Sequence, residues 1–108
     1  MNHADRVSLL LQYVKEEPEN PFNIYALALE YQNQDKEKAS FYFNKLLKEH
    51  KSYLPTYYHA ALLFAALDQA EKAEKTFLDG IALADKLDDS HAKRELQNAY
   101  LNFQLDED

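Results

Sequence analysis

Few residues in the chain have the type and spacing that catalysis or metal binding requires. The adjacent acidic pairs Glu16-Glu17 and Asp88-Asp89 have no second carboxylate cluster nearby in sequence, so they indicate helix-end charges rather than an acid–base pair. The chain contains no cysteine, which excludes a thiolate nucleophile, a thiolate metal site and a disulfide. The histidines lack metal-ligand spacing among themselves. They are His3, His50, His59 and His91.

The other common catalytic motifs are also missing. A phosphate-binding loop needs several glycines, and the only glycine is Gly80. None of the serines lies in a nucleophile motif. We therefore expect no catalytic residues, no metal site and no cofactor, and an enzyme is the weakest of the functional hypotheses.

Composition limits the possible partners. The 108 residues include 12 basic and 19 acidic side chains, for a net charge of -7. This charge disfavours binding to nucleic acid and to anionic membranes. No apolar run approaches the roughly 18 residues that cross a bilayer, and the first residues do not resemble a signal peptide. We expect a cytoplasmic protein with neither a nucleic-acid nor a membrane partner.

The sequence repeats with a period close to 34 residues. The triplet Glu-Lys-Ala at 37–39 recurs at 71–73, and Phe43 recurs as Phe77, both at an offset of 34. Upstream of the triplet the offset is 33, which places a one-residue gap in the turn of the first copy. The pairs at this offset are Ile24 with Tyr57, Ala28 with Ala61, and Tyr31 with Phe64.

Apolar spacing divides each copy into two helices. The first helices are predicted at 22–33 and 57–67, and each follows a proline, which is tolerated in the first turn of a helix. The second helices are predicted at about 36–50 and 70–86. Gly80 falls inside the last of these helices, where a glycine destabilises the helix by about 1 kcal/mol relative to alanine. We expect this glycine to be present because a neighbouring backbone approaches it closely.

These copies resemble the tetratricopeptide repeat (TPR) family. The family pattern is a large apolar residue, Leu-Gly, Tyr, then Ala and Phe four apart, and finally Pro. The first copy matches it with Ile24, Leu27-Ala28, Tyr31, Ala39 and Phe43. The second copy matches it with Tyr57, Ala60-Ala61, Phe64, Ala73 and Phe77. Ala28 and Ala61 replace the usual glycine, and both copies lack the closing proline.

The resemblance and the flanking patterns together predict an all-α fold, a right-handed α-α superhelix (TPR-like solenoid) of about six helices. We expect one domain, 1–108, with a half-repeat helix at 3–16, repeat 1 at 21–53, repeat 2 at 54–87 and a capping helix at 88–105. Asp88, Asp89 or Ser90 is expected to cap the last helix, whose outer face is expected to be polar.

In TPR proteins the first helix of each repeat lines a concave groove that binds a protein or peptide. The resemblance therefore implies a groove lined by Phe22, Tyr25, Leu29, Gln32, Asn33, Tyr58 and Leu62. One TPR subgroup holds the C-terminal carboxylate of chaperones with basic and amide side chains. The matching positions here are Tyr25, Leu29, Tyr58 and Leu62, none of which is basic, so we expect no binding of such tails.

Aromatic residues at helical spacing usually belong to the core of a solenoid. We assign Tyr31, Phe43, Phe64 and Phe77 to the core, whereas Tyr25 and Tyr58 fit the core and the groove equally well. The leading hypothesis is a non-catalytic protein–protein interaction module with an aromatic and apolar groove. The alternative is a structural homo-oligomerisation module, such as a homodimer, whose groove is filled by another copy. The C-terminal helix is a further candidate for covering the groove.

Overall fold

Helices account for most of the chain. The computed structural model describes residues 1–107, which form six α-helices and no strand. The predicted all-α class is therefore confirmed, and Asp108 lies outside the described residues. The helices are α1 His3–Glu16, α2 Pro21–Tyr31, α3 Lys36–Glu49, α4 Pro55–Ala66, α5 Ala70–Lys86 and α6 Ser90–Glu107.

Short polar side chains cap the starts of four of these helices. At α2, Asn20 accepts a hydrogen bond from the Phe22 backbone N–H at 3.0 Å. Asn2, Asp35 and Asp89 each accept a hydrogen bond from the backbone N–H three residues later, at 2.9, 3.2 and 3.0 Å respectively. Such a bond pairs one of the N–H groups that the first turn leaves without a partner. Among the three candidate caps of α6, this contact identifies Asp89. Pro21 and Pro55 occupy the first turns of α2 and α4, as predicted.

Each repeat copy has a turn between its two helices, and these two turns differ in length at the point where the repeat offset changes from 33 to 34 residues. In the first copy the Asp35 N–H donates to the Tyr31 carbonyl at 2.7 Å. In the second copy Asp68 has a φ of 60°, and the Gln69 N–H reaches the Phe64 carbonyl at 2.9 Å. The left-handed residue in the second turn is a common way of ending a helix. The structure therefore places the one-residue gap in the turn, as the sequence pairs predicted.

Contacts divide the chain into two compact units, Met1–Tyr53 and the segment that begins at Leu54. In the first unit α2 packs against both α1 and α3. Tyr31 belongs to its core, as predicted, with 8% of its surface exposed. The residues of α2 and α3 with no exposed surface are Ile24, Leu27, Ala28, Ala39, Phe43 and Leu46. Alanines at two of these positions, Ala28 and Ala39, let the helices approach closely enough to bury the larger neighbours.

Polar contacts help to dock α1, which has no fully buried residue. Arg6 donates a hydrogen bond to the Glu30 carboxylate of α2, and His3 Nδ1 lies 3.4 Å from the same carboxylate. The His3 ring also meets the edge of the Tyr31 ring at a centroid distance of 5.8 Å. The hydrogen bond from Arg6, assisted by its charge, lowers the pKa of Glu30 below the ordinary value of 4.5.

The contribution of Glu30 to stability should therefore depend on pH. Because the folded-state pKa is lowered, the contribution is full above the unfolded value of 4.5 and is lost as the pH falls through the folded value. We expect Glu30→Gln to lower the melting temperature at about pH 7, and we expect this deficit to shrink as the pH is lowered below 4.5. Circular dichroism melts of wild type, Glu30→Gln and the exposed control Glu19→Gln test this. A Glu30→Gln deficit that persists at acid pH would contradict it.

The second unit contains α4, α5 and α6, with α6 packed along α5 and also touching α4. Phe64 and Phe77, assigned to the core from the sequence, have no exposed surface. The Phe77 ring lies 5.7 and 5.6 Å from the ring centroids of Tyr100 and Phe103. Offset and edge contacts at such distances stabilise aromatic clusters. The cluster therefore fixes α6 to α5.

Gly80 lies where α4, α5 and α6 meet. A Cβ atom added there would lie 2.6 Å from the Tyr57 Cβ and 3.3 Å from the Leu96 Cδ1. The first distance is shorter than any ordinary van der Waals contact between carbon atoms. The expectation of a close backbone was therefore wrong in detail, because side chains from the two neighbouring helices occupy the space. The absence of a side chain at Gly80 allows α4 to sit against α5.

Thr56 carries a buried hydroxyl without a hydrogen-bond partner. A buried unpaired hydroxyl costs roughly 1 to 3 kcal/mol, so the isosteric change Thr56→Val should raise the free energy of unfolding by about 1 kcal/mol. Thr76→Val is the matched control, since the Thr76 hydroxyl donates to the Lys72 carbonyl at 2.7 Å. Urea denaturation should show a gain for Thr56→Val alone. An equal gain in both variants would show that hydrophobicity, rather than the unpaired hydroxyl, is responsible.

Candidate functional site

The groove residues predicted in the first unit lie along α2 and the turn after it. Phe22 is 60% exposed at the start of the helix. Tyr25 and Leu29 follow one turn apart, and both are half-buried. Gln32, just after the helix, is half-buried, and Asn33 is exposed. This unit therefore offers solvent an aromatic and apolar strip that ends in two amide side chains.

Tyr25 is both a packed and an accessible residue. Its ring meets the edge of the Tyr53 ring at a centroid distance of 5.7 Å, which fixes its orientation. In contrast, the Tyr31 ring faces inward and is stacked on Tyr42, with centroids 5.9 Å apart and planes 2° apart. Lys38 lies over the Tyr31 ring at 5.4 Å. Tyr31 is therefore a core residue, whereas Tyr25 is partly exposed.

In the second unit the predicted groove residues line an open pocket of about 500 Å³. Tyr58 and Leu62, one turn apart on α4, form one wall together with Ala65 and Ala66. Tyr58 is half-buried and Leu62 is 40% exposed. The C-terminal helix α6 forms the opposite wall and does not cover these residues. The pocket volume lies in the range typical of ligand sites.

The α6 wall is mainly polar, and sequence analysis missed its role. Glu95, Asn98, Asn102 and Asp106 line the pocket beside Ala99 and Phe103. The sequence predicted a polar outer face on this helix and no pocket wall. The spacing of 95, 98, 102 and 106 follows one side of a helix, next to the apolar stripe of Leu96 and Phe103. This polar stripe beside the apolar stripe is the sequence pattern from which the pocket wall could have been predicted.

Solved structures identify the family. The chain is similar to the crystal structure of a tetratricopeptide repeat domain protein from Salinibacter ruber, with 34% identity over 79% of this chain and 96% of that one and a TM-score of 0.74. The chain belongs to the TPR family. A solution NMR structure of a TPR domain protein from Salinibacter ruber gives 35% identity over 81% of this chain and 89% of that one, with a TM-score of 0.75. No family model and no curated protein matches the chain.

The pocket of this TPR protein has no positive side chain to hold a carboxylate. Its lining includes Glu95 and Asp106 and neither lysine nor arginine. An anionic group placed there would be repelled by both carboxylates and would lose its hydration without gaining a counter-charge. Two asparagine amides and the Tyr58 hydroxyl supply hydrogen-bonding groups. The pocket therefore suits a neutral or positively charged ligand better than an acidic one.

The described part of the TPR chain presents no assembled metal centre. Among the side chains of residues 1–106, no three histidine, aspartate or glutamate groups lie close enough together to hold a metal ion. Burial lowers the pKa of His59 below its ordinary value of 6.5, partly offset by the negative charge of Glu95. His59 is half-buried. None of the helices formed by these residues has the length and apolar character needed to cross a membrane.

Proposed function

We propose that this TPR protein is a non-catalytic interaction module that binds a segment of a partner protein on the first helices of its repeats. The observation that carries the proposal is the open pocket beside α4, in which Leu62 remains 40% exposed. On α2, Phe22 is likewise 60% exposed at a predicted groove position. Apolar side chains left in water on the first helix of each repeat favour surfaces that another chain covers.

Binding would be driven by burial of apolar surface. Covering a leucine or aromatic side chain contributes about 1.5 to 3 kcal/mol when burial is complete. Tyr25 and Tyr58 would add large, fairly rigid rings with a polar tip, which is why tyrosine is enriched in protein interfaces. Gln32 and Asn33 would supply hydrogen bonds to the backbone of the bound segment. No bond in the partner is made or broken.

Affinity capture from a native lysate tests this function. The baits are wild type, the double variant Tyr25→Ala, Tyr58→Ala, and the control Phe41→Ala, which removes an aromatic ring that is 63% exposed on α3. All three must show the same helicity. We expect a discrete partner that wild type and Phe41→Ala retain and that the double variant loses by at least tenfold. A partner held equally by all three baits would contradict the proposed surface.

A second candidate function is homo-oligomerisation, in which another copy fills the groove. The observation that favours it is a pair of leucines one turn apart on α6, Leu101 and Leu105, which are 54% and 63% exposed. They interrupt the polar outer face expected of a capping helix. Sedimentation over a wide concentration range distinguishes self-association from partner binding. Self-association predicts that the average mass rises with protein concentration and that the double variant Leu101→Gln, Leu105→Gln returns to the monomer mass. A constant monomer mass would rule it out.

A further inference from the structure

The pocket between α4 and α6 has two chemically different walls. Tyr58, Leu62 and Ala65 present ring and aliphatic surface from α4. The opposite wall carries Glu95 near its start and Asp106 near its end, with asparagines between them. A ligand that fills this space must therefore offer apolar groups to one side and polar or charged groups to the other.

The two carboxylates are placed to act on the same ligand. Glu95 and Asp106 are eleven residues apart, which is three turns of helix, so both lie on one side of α6. At about 1.5 Å per residue they are separated by roughly 16 Å along the axis. An extended peptide spans that distance with about five residues, at about 3.3 Å each. One short segment can thus reach both ends of the pocket.

The chain itself does little to neutralise these carboxylates. The ion-pair partner of Glu95 is His91, with Nε2 4.0 Å from the carboxylate and a side chain that is 87% exposed. Asp106 forms no ion pair with any cationic side chain of residues 1–107. The net charge of -7 adds a negative field around the whole molecule. These charges attract a basic ligand and repel an acidic one.

We infer that the α4–α6 pocket selects an extended basic segment of the partner, with two lysine or arginine residues about five positions apart and large apolar residues between them. This inference rests on the proposed function and names the chemistry of its partner. The cationic heads would lie at Glu95 and Asp106. The apolar residues between them would cover Leu62 and Tyr58. The aliphatic stem of a lysine or arginine can lie along an apolar surface while its charged head stays in water.

Selection from a phage-displayed library of random peptides, with the full chain as target, tests the inference. We expect wild type to enrich sequences with paired basic residues around an apolar centre. The neutral double variant Glu95→Gln, Asp106→Asn should bind the best such peptide about tenfold more weakly. Glu37→Gln, Glu71→Gln is the matched control, because it removes the same two charges from exposed positions outside the pocket lining and should change affinity less than about twofold.

The outcomes separate the inference from the proposed function. Enriched peptides without basic residues that are still lost in Leu62→Asp would overturn the basic preference and leave the groove function standing. Equal weakening of the basic peptide by both neutral variants would also overturn it, because the attraction would then come from net charge alone. No enrichment, or binding that is insensitive to Leu62→Asp and to both neutral variants, would contradict the inference and the proposed function together.

Discussion

Phe77→Ala is expected to lower the free energy of unfolding by about 3 to 5 kcal/mol. Phe77 has no exposed surface, and its ring contacts Tyr100 and Phe103 of α6. Truncation removes both the apolar burial and the aromatic contacts, and it leaves a cavity between α5 and α6. Urea denaturation followed by circular dichroism measures the loss. A loss of this size is a large part of the stability of a small domain.

The control for Phe77→Ala is Phe41→Ala, which removes the same side chain from a position that is 63% exposed. It should change the free energy of unfolding by less than about 0.5 kcal/mol. Because Phe77 fixes the helix that forms one wall of the pocket, Phe77→Ala should also weaken peptide binding. A loss below about 1 kcal/mol would contradict the assignment of Phe77 to the core.

Gly80→Ala is expected to destabilise the protein by about 2 kcal/mol, although alanine favours helix formation. The added methyl group would lie 2.6 Å from the Tyr57 Cβ, so α4 and α5 must separate. Overpacking of this kind costs about 1 to 3 kcal/mol, which outweighs the gain of up to about 1 kcal/mol in helix propensity. The partner atom is the first carbon of a side chain and cannot move without its helix.

Ala82→Gly is the converse control for Gly80→Ala. Ala82 is exposed on the same helix, so its replacement should cost only the difference in helix propensity, about 1 kcal/mol. Thermal melts of wild type and both variants provide the comparison. A stabilised Gly80→Ala variant would mean that α4 does not approach α5 as closely as the 2.6 Å distance requires.

The helices could be predicted because their signals are local. The spacing of Ala39 and Phe43, repeated at Ala73 and Phe77, located the second helix of each copy and its buried face. Early prolines marked the starts of α2 and α4, and α1 runs from His3 to Glu16 as predicted. Such features depend on residues within a few positions of one another, so a single sequence is enough to find them.

The second wall of the pocket could not be predicted in the same way. α6 has no counterpart among the two full copies, and its polar residues read as a solvated surface of a capping helix. Whether Glu95 and Asn102 face open solvent or a pocket depends on how α6 rotates as it packs on α5. That rotation is set by non-local contacts such as Leu96 near Gly80 and Phe103 against Phe77. Similarly, the helical position of Gly80 predicted that another part of the chain lies close to it. The sequence could not show that this part is the Tyr57 side chain.

Site-specific photo-crosslinking shows whether a partner protein binds on the first helices of the repeats. A benzoylphenylalanine introduced at Leu62 lines the pocket, and the same group at Phe41 samples an exposed site on α3 outside its lining. Irradiation in native lysate, followed by mass spectrometry, identifies what each position touches. We expect one discrete partner protein crosslinked at Leu62 and absent from Phe41. Crosslinks from Phe41 alone, or from both positions to the same proteins in equal yield, would contradict this expectation.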